Sequence, residues 1–286
     1  MAKHANPTIR QRRLAGELAR LREAAGLTRE QVAHHLDWHA TKTWRIENAR
    51  SGVTTGDLRD LLDLYQVSGP RRDSLIAFAR RAREKGWWTE YSDIFTGSYN
   101  DLEAQACAIR TFEPLLIPGL LQTEAYARAI VRSGPVIDPA EVKRRVQARM
   151  ARQQLLTAEE GRPRLWAVID EAALRRPVGG AETMREQLQR LIDLVDQPHI
   201  TLQIVKNSVG AHPGLTGPFV VLDFPEPDLF APVVYLELAP DGLYLEETEA
   251  IMRYTLIFDH LRAIAVSPVE SSKMLNEIKE GLSDDE

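Results

Sequence analysis

Apolar residues recur at three- and four-residue intervals through the first third of the chain. Farther on, that helical period gives way repeatedly to the two-residue period of strands. Leu14, Leu18 and Leu21 share one side of a segment starting near Arg10, which predicts a helix ended by Ala25-Gly26. Thr28 and Gln31 have capping-box spacing, so a second helix is expected from about Arg29, burying Val32, Ala33 and Leu36. Asp37 is one of the few non-glycine residue types that visit left-handed backbone, and it marks a sharp turn. A third helix, from about Ala40 to Asn48, turns Thr43 and Ile46 inward and leaves Thr41, Lys42, Trp44 and Arg45 outside. Thr54-Thr55 opens a fourth, carrying Leu58, Leu61, Leu62, Leu64 and Tyr65, and after Gly69-Pro70 a basic helix from Arg71 to Lys85 reads as a connector.

Beyond Trp87-Trp88, a pair expected to anchor a core or domain boundary, the texture changes. Residues 98–108 are expected to be helical and Ile109 to Ile117 to hold a strand. Thr123 caps one helix, and Asp138-Pro139 opens another running to about Thr157. Arg164 to Ile169 reads as a strand, Glu171 to Arg175 as a short helix and Ala181 to Gln197 as an amphipathic helix. Ile200 to Val205, Pro218 to Phe224 and Val233 to Leu238 form a β-rich stretch with short connections, for which antiparallel pairing is expected. Helices over 246–265 and 268–281 close the chain. The fold class is α+β: an all-α domain (1–69), a helical connector (70–88) and a larger α+β domain (89–286) with an antiparallel or mixed sheet flanked by helices.

Two short helices joined by a tight turn over Leu27–Ala49 are a helix-turn-helix, whose second helix enters the major groove of DNA. An ordinary helical hairpin is the plain alternative. The segment resembles the helix-turn-helix of phage-repressor-type (XRE-like) bacterial regulators, down to the isoleucine–glutamate pair Ile46-Glu47. It departs from that pattern with Asp37 and Ala49 where glycine is usual, and with His39 where Ser or Thr often caps. On this reading Ala40, Thr41, Lys42 and Arg45 face base edges. Thr28, Arg29 and Arg50, with Arg12 and Arg13 of the first helix, hold phosphate.

Charge changes the picture in favour of DNA. The whole chain is acidic, with 36 Lys/Arg against 41 Asp/Glu, yet residues 1–86 carry 17 basic against 10 acidic side chains, net +7. A segregated basic domain is the electrostatic footprint expected for phosphate. One cysteine, Cys107, excludes a disulfide framework within the chain, and no apolar run approaches a membrane span. A cytoplasmic, nucleoid-associated protein is expected.

The resemblance widens in the second domain. IPGLLQTEAYARAI (117–130), RRVQARMARQQLL (144–156), LWAVIDEAALRR (165–176), GAHPGLTGPFVVLDFPE and VVYLE resemble a group of actinobacterial regulators that join such a helix-turn-helix to a C-terminal domain of about two hundred residues. That resemblance implies an antitoxin-like transcriptional regulator, often encoded beside a small partner protein.

Enzyme chemistry finds no constellation. Asp170 and Glu171 suit a helix N-terminus better than an acid–base pair, and His199 and His212 lack metal-ligand spacing. The Gly-rich run 210–217 lacks a phosphate loop's lysine and reads as a mobile connection. Trp166, Phe219, Tyr235 and Tyr244 either line an effector cavity or fill the core. No enzyme, metal or cofactor is expected. The chain is expected to bind double-stranded DNA as a homodimer on a two-fold operator, its C-terminal domain holding a partner or effector. The alternatives are a module primarily for capturing a small partner protein, and a small-molecule sensor.

Overall fold

The structure, a computed structural model, describes residues 9–81, 87–91, 93–95, 99–135, 138–159, 161–225, 230–238 and 242–282. Residues 1–8 of the polar amino-terminal stretch expected to be loose (1–9), the acidic tail expected to fray (283–286) and positions 82–86 of the expected connector lie outside the described residues. Two compact units form, Met1–Gly86 with Asp228–Phe230, and Trp87–Pro227 with Ala231–Glu286.

The amino-terminal unit is built from helices α1 (Ile9–Ala24), α2 (Arg29–His35), α3 (Thr41–Glu47), α4 (Thr55–Leu64) and α5 (Gly69–Arg81). Leu14, Leu18 and Leu21 of α1 are buried with Val32, Ala33, Ile46, Leu58, Leu61 and Leu62, the faces that helical spacing predicts. Helix α5 packs against α1 and α4, burying Leu75 and Phe78, and so extends this bundle.

The second unit holds a six-stranded mixed sheet of β1 (Ala108–Glu113), β2 (Arg164–Asp170), β3 (Ile200–Val205), β4 (Phe219–Asp223), β5 (Val233–Leu236) and β6 (Leu243–Leu245), in the order β3-β2-β1-β4-β5-β6. Strands β1, β2 and β3 run parallel, while β4, β5 and β6 form an antiparallel meander attached to β1. The expectation that β3 pairs antiparallel is therefore corrected. Helices α9 (Glu171–Arg175) and α10 (Gly180–Val195) between β2 and β3 supply the long crossover that parallel pairing requires. The following connection carries the chain past β2 and β1, so β4 joins the opposite side of β1.

Helices α6 (Tyr99–Glu103), α7 (Glu124–Ser133), α8 (Pro139–Gln153), α11 (Thr248–Ile264) and α12 (Pro268–Glu280) complete the unit. Helix α6 is shorter than expected, and Cys107 lies in the turn before β1 instead of in a helix. Thr123 and Asp138 cap α7 and α8 by accepting from Tyr126 N and Ala140 N. Trp87 and Trp88 are half-buried in a 3-10 turn, where Trp87 meets Tyr91 and Phe95.

Alternation on the strands assigns the two sheet faces. Phe112, Val168, Val221 and Val234 join Phe258 and Leu261 of α11 in one core cluster. Trp166 packs against that cluster, its indole N–H bonded to Gln203 Oε1 at 2.9 Å. On the opposite face Ile109, Thr111, Glu113, Leu165, Val220 and Tyr235 border a cavity. The Gly-rich connection is anchored, contrary to the expectation of a mobile segment. The His212 side chain is buried with Nε2 3.3 Å from Asp170, and a Cβ on Gly214 would lie 2.4 Å from the Phe112 ring. Asp170 also caps α9 at Ala172 N, and Glu171 accepts from Asn207 N at 2.9 Å, so both carboxylates have structural partners.

Candidate functional site

The turn between α2 and α3 forms as its residues dictate. Thr28 Oγ1 accepts from Gln31 N, and Gln31 Oε1 accepts from Thr28 N at 2.8 Å, closing both halves of the capping box. Asp37 adopts φ 52°, and Trp38 N donates to Ala33 O at 2.8 Å, the bond pattern of a left-handed helix stop. Ala49 plays the same part after α3 with φ 51°, where glycine would sit with less strain. Ala40 offers no cap, and His39 substitutes for one: its Nδ1 accepts from Thr41 N at 3.3 Å.

A buried ion triad fixes α3 against its neighbours. The Glu47 carboxylate, 2% exposed, accepts from Arg22 Nε of α1 at 2.6 Å and from Arg29 Nε of α2 at 2.6 Å. Arg22 also donates to Leu27 O at 2.8 Å, tying in the chain between the helices. The hydrogen bond to Glu47 raises the Arg22 guanidinium above its ordinary value against the cost of burial. Tyr65 lies close enough for burial and then the Glu47 charge to push its phenol up.

The outer face of α3 carries the residues expected at base edges. Ala40, Thr41, Trp44 and Arg45 are exposed, Trp44 to 46%. Among the described residues the Arg45 and Arg50 side chains make no hydrogen bond or ion pair, so both cations are available. Lys42 is engaged instead: Nζ bonds Asp57 Oδ1 at 2.6 Å and sits 3.8 Å above the Trp38 ring. Burial would raise Asp57, yet Lys42 and Thr54 outweigh it and hold the carboxyl below its ordinary range. Of the expected phosphate contacts, Thr28 is used as a cap and Arg29 in the triad, while Arg12 is exposed and Arg13 partly exposed on α1. Sequence reasoning missed the Arg22–Glu47 and Lys42–Asp57 pairs, since both join residues more than a helix apart.

This bundle, with its locked second helix and basic outer face, defines a helix-turn-helix domain of the DNA-binding, XRE type. Residues 13–75 match the family model for a helix-turn-helix domain, and residues 96–277 match that of a domain of unknown function, DUF5753. The chain belongs to the DUF5753 family. Neither the curated proteins nor the solved structures contain a match to it. Among the described residues no helix is long and apolar enough to cross a membrane.

The DUF5753 unit contains a cavity of ≈ 370 Å³ between the sheet and helices α6 and α8. Arg145, Arg149 and Arg152 line it from α8, at spacings that place them on one helix face. Arg152 forms a two-pronged pair with Glu103, both contacts 2.6 Å, and Glu103 also accepts from Tyr99 Oη at 2.8 Å. Glu113 faces this group from β1, and Glu237 stands exposed after β5. Of the four aromatic residues singled out in sequence, Tyr235 lines the cavity and Phe219 borders it. Trp166 lies on the α11 side, and Tyr244 touches Tyr235 with ring centroids 5.2 Å apart.

Burial, and secondarily the Glu237 charge, pushes the Glu113 carboxyl from its ordinary 4.5 to about 8. Between these values the folded protein keeps a proton that the unfolded chain has released, so stability falls as pH rises across that window. Urea midpoints of the DUF5753 unit at pH 5, 6, 7 and 8 are expected to fall progressively in the wild type and to level out in Glu113→Gln. Parallel slopes for the two proteins would contradict this assignment.

Proposed function

We propose that the chain is a sequence-specific transcriptional regulator that reads a two-fold operator as a homodimer, with α3 in the major groove. The exposed Arg45 guanidinium, lacking any partner among the described residues on a helix fixed by the Glu47 triad, carries this reading. Arg forks pair bidentately with the guanine O6 and N7 acceptors, whereas Ala40 and Thr41 suit apolar and single hydrogen-bond contacts at the groove floor. Lys42 reaches a base only by leaving Asp57, and Trp44 is placed for a thymine methyl or the sugar–phosphate backbone. Arg50, Arg12 and Arg13 hold phosphate, as does Arg29 with the exposed part of its side chain.

Arg45→Ala is expected to cost about 1–3 kcal/mol on the preferred site and to relax discrimination at one base pair. Arg50→Ala is expected to weaken all sequences alike and to reduce the salt slope by about one. Fluorescence anisotropy on preferred and scrambled duplexes across a salt series measures both. Equal loss on every duplex for Arg45→Ala would move that residue to the phosphate class.

The DUF5753 domain is proposed as the regulatory half, binding an effector or, in an antitoxin-like arrangement, a small partner protein encoded nearby. The cavity favours the effector. Co-purification with the product of the adjacent reading frame tests the partner, and its absence would leave the domain without that role.

A further inference from the structure

One arginine of the cavity in the DUF5753 unit stands outside the ion pairs that hold its neighbours. Arg145 is matched by Glu141 at 2.8 Å and Arg152 by Glu103, but Arg149, between them on the same helix face, has no carboxylate partner among the described residues. Among the described residues its only hydrogen bond runs from Nη1 to Gln122 Oε1 at 3.0 Å, leaving the rest of the guanidinium fork open toward the cavity. Burial and then the neighbouring Arg152 disfavour its charged form, and the Glu237 charge offsets this only in part. A cation held out of water with its charge only partly offset is costly, and a bound anion offsets more of that cost.

The position of Arg149 is built in, not accidental. Gln122 is buried, its amide Nε2 donating to Ile117 O at 2.8 Å, which fixes Oε1 toward the arginine. The Gln122 carbonyl accepts from Gln153 Nε2 at 2.7 Å, and Gln153 Oε1 accepts from Arg190 at 2.8 Å. A chain of buried amides thus holds the guanidinium in place before any ligand arrives, the arrangement expected of a binding group supported from behind.

The remaining walls specify the rest of the ligand. Tyr99 and Tyr235 lie with ring centroids 4.2 Å apart and, with Ile109 and Leu165, give the cavity an aromatic and apolar side. Gly242 makes room for this: a Cβ there would lie 2.0 Å from the Tyr235 ring. Glu237 repels a second negative charge, and Glu113, protonated below about pH 8, offers a neutral carboxyl group for hydrogen bonds. One cation with its charge only partly offset calls for a single negative charge; the planar fork accepts a carboxylate bidentately, and the Glu237 charge disfavours a phosphate dianion.

We propose that this cavity is a binding site for a small organic monocarboxylate, its carboxylate seated on Arg149 and its far end, an ammonium or other hydrogen-bond donor, directed to Glu113 and Glu237. A volume of ≈ 370 Å³ suits such a molecule. The site goes beyond the DNA-binding reading and needs nothing from it, since binding is measured on DNA-free protein.

Isothermal titration of the full chain with 4-aminobutyrate, 4-aminobenzoate and phenylalanine, alongside their amides and glutarate, tests the proposal. At least one monocarboxylate is expected to bind, with its amide and glutarate weaker by about tenfold or more, the worth of one charge-assisted pair. Arg149→Gln is expected to lose the acid by a similar factor while unfolding no earlier than wild type, because it removes an unpaired cation. Arg149→Lys, which keeps the charge but not the fork, is expected to fall between. Binding by none of the acids, equal binding of acid and amide, or undiminished binding by Arg149→Gln would overturn the proposal.

Discussion

Replacing Glu47 with alanine is expected to destabilise the amino-terminal unit by about 3–5 kcal/mol, because it strands the Arg22 guanidinium in the helix bundle. Arg22 is only 9% exposed, and its other acidic neighbour, Glu23, lies on the surface at 3.2 Å. Arg29, at 40% exposure, can turn to solvent, so the penalty falls on Arg22. A small domain has a total stability of about 5–15 kcal/mol, so the loss takes much of it. A thermal midpoint lower by roughly 12 °C or more is expected, along with loss of DNA binding at temperatures where the wild type binds. The double replacement Arg22→Met with Glu47→Leu is expected to recover most of the stability, since an apolar pair of similar volume escapes the desolvation cost. Circular dichroism melts of the three proteins check this. A Glu47→Ala midpoint within a few degrees of wild type would mean the triad contributes little.

The second large effect is expected at Glu103. This carboxylate, 2% exposed, is the counter-charge of Arg152, and burial that would lower the arginine is outweighed by Glu103, so Arg152 stays raised above its ordinary value. Glu103→Ala leaves Arg152 without its ion-pair partner beside Arg149 on the same helix face, for an expected loss of about 3–5 kcal/mol in the DUF5753 unit. Formate or acetate at high concentration is expected to restore part of this by occupying the vacated carboxylate position, whereas chloride at equal ionic strength is not. Urea unfolding in the three salts measures the difference. Equal midpoints in formate and chloride would contradict a charge-specific origin.

Local physics made much of the helix-turn-helix legible in sequence. The Thr28–Gln31 box, the Asp37 turn and the inward Val32, Ala33 and Ile46 each depend on residues within a few positions of one another. What escaped depends on distance along the chain. Glu47 was visible as half of a motif pair, but its partners Arg22 and Arg29 lie 25 and 18 positions away. The α+β class followed from periodicity, which left the sheet antiparallel or mixed, while the partner of β3 did not follow. Its ITLQIV alternation is satisfied by either direction of pairing, and only the helical crossover decides. The cavity was the least legible feature. Its charges come from α6, β1, α8 and the end of β5, and on α8 alone Arg145, Arg149 and Arg152 look like a solvated basic face. The signal within the sequence is the apolar set Val142, Val146 and Ala148 among those arginines, all three buried in the structure.

The proposed regulatory function depends on α3 reading DNA. The most direct measurement is selection of bound duplexes from a random pool with the full-length protein, followed by footprinting of the recovered site. Paired half-sites are expected, about 34–36 Å apart on one face of the duplex, with a guanine whose preference disappears in Arg45→Ala. Recovery of no sequence preference, or of a preference that Arg45→Ala leaves intact, would contradict it.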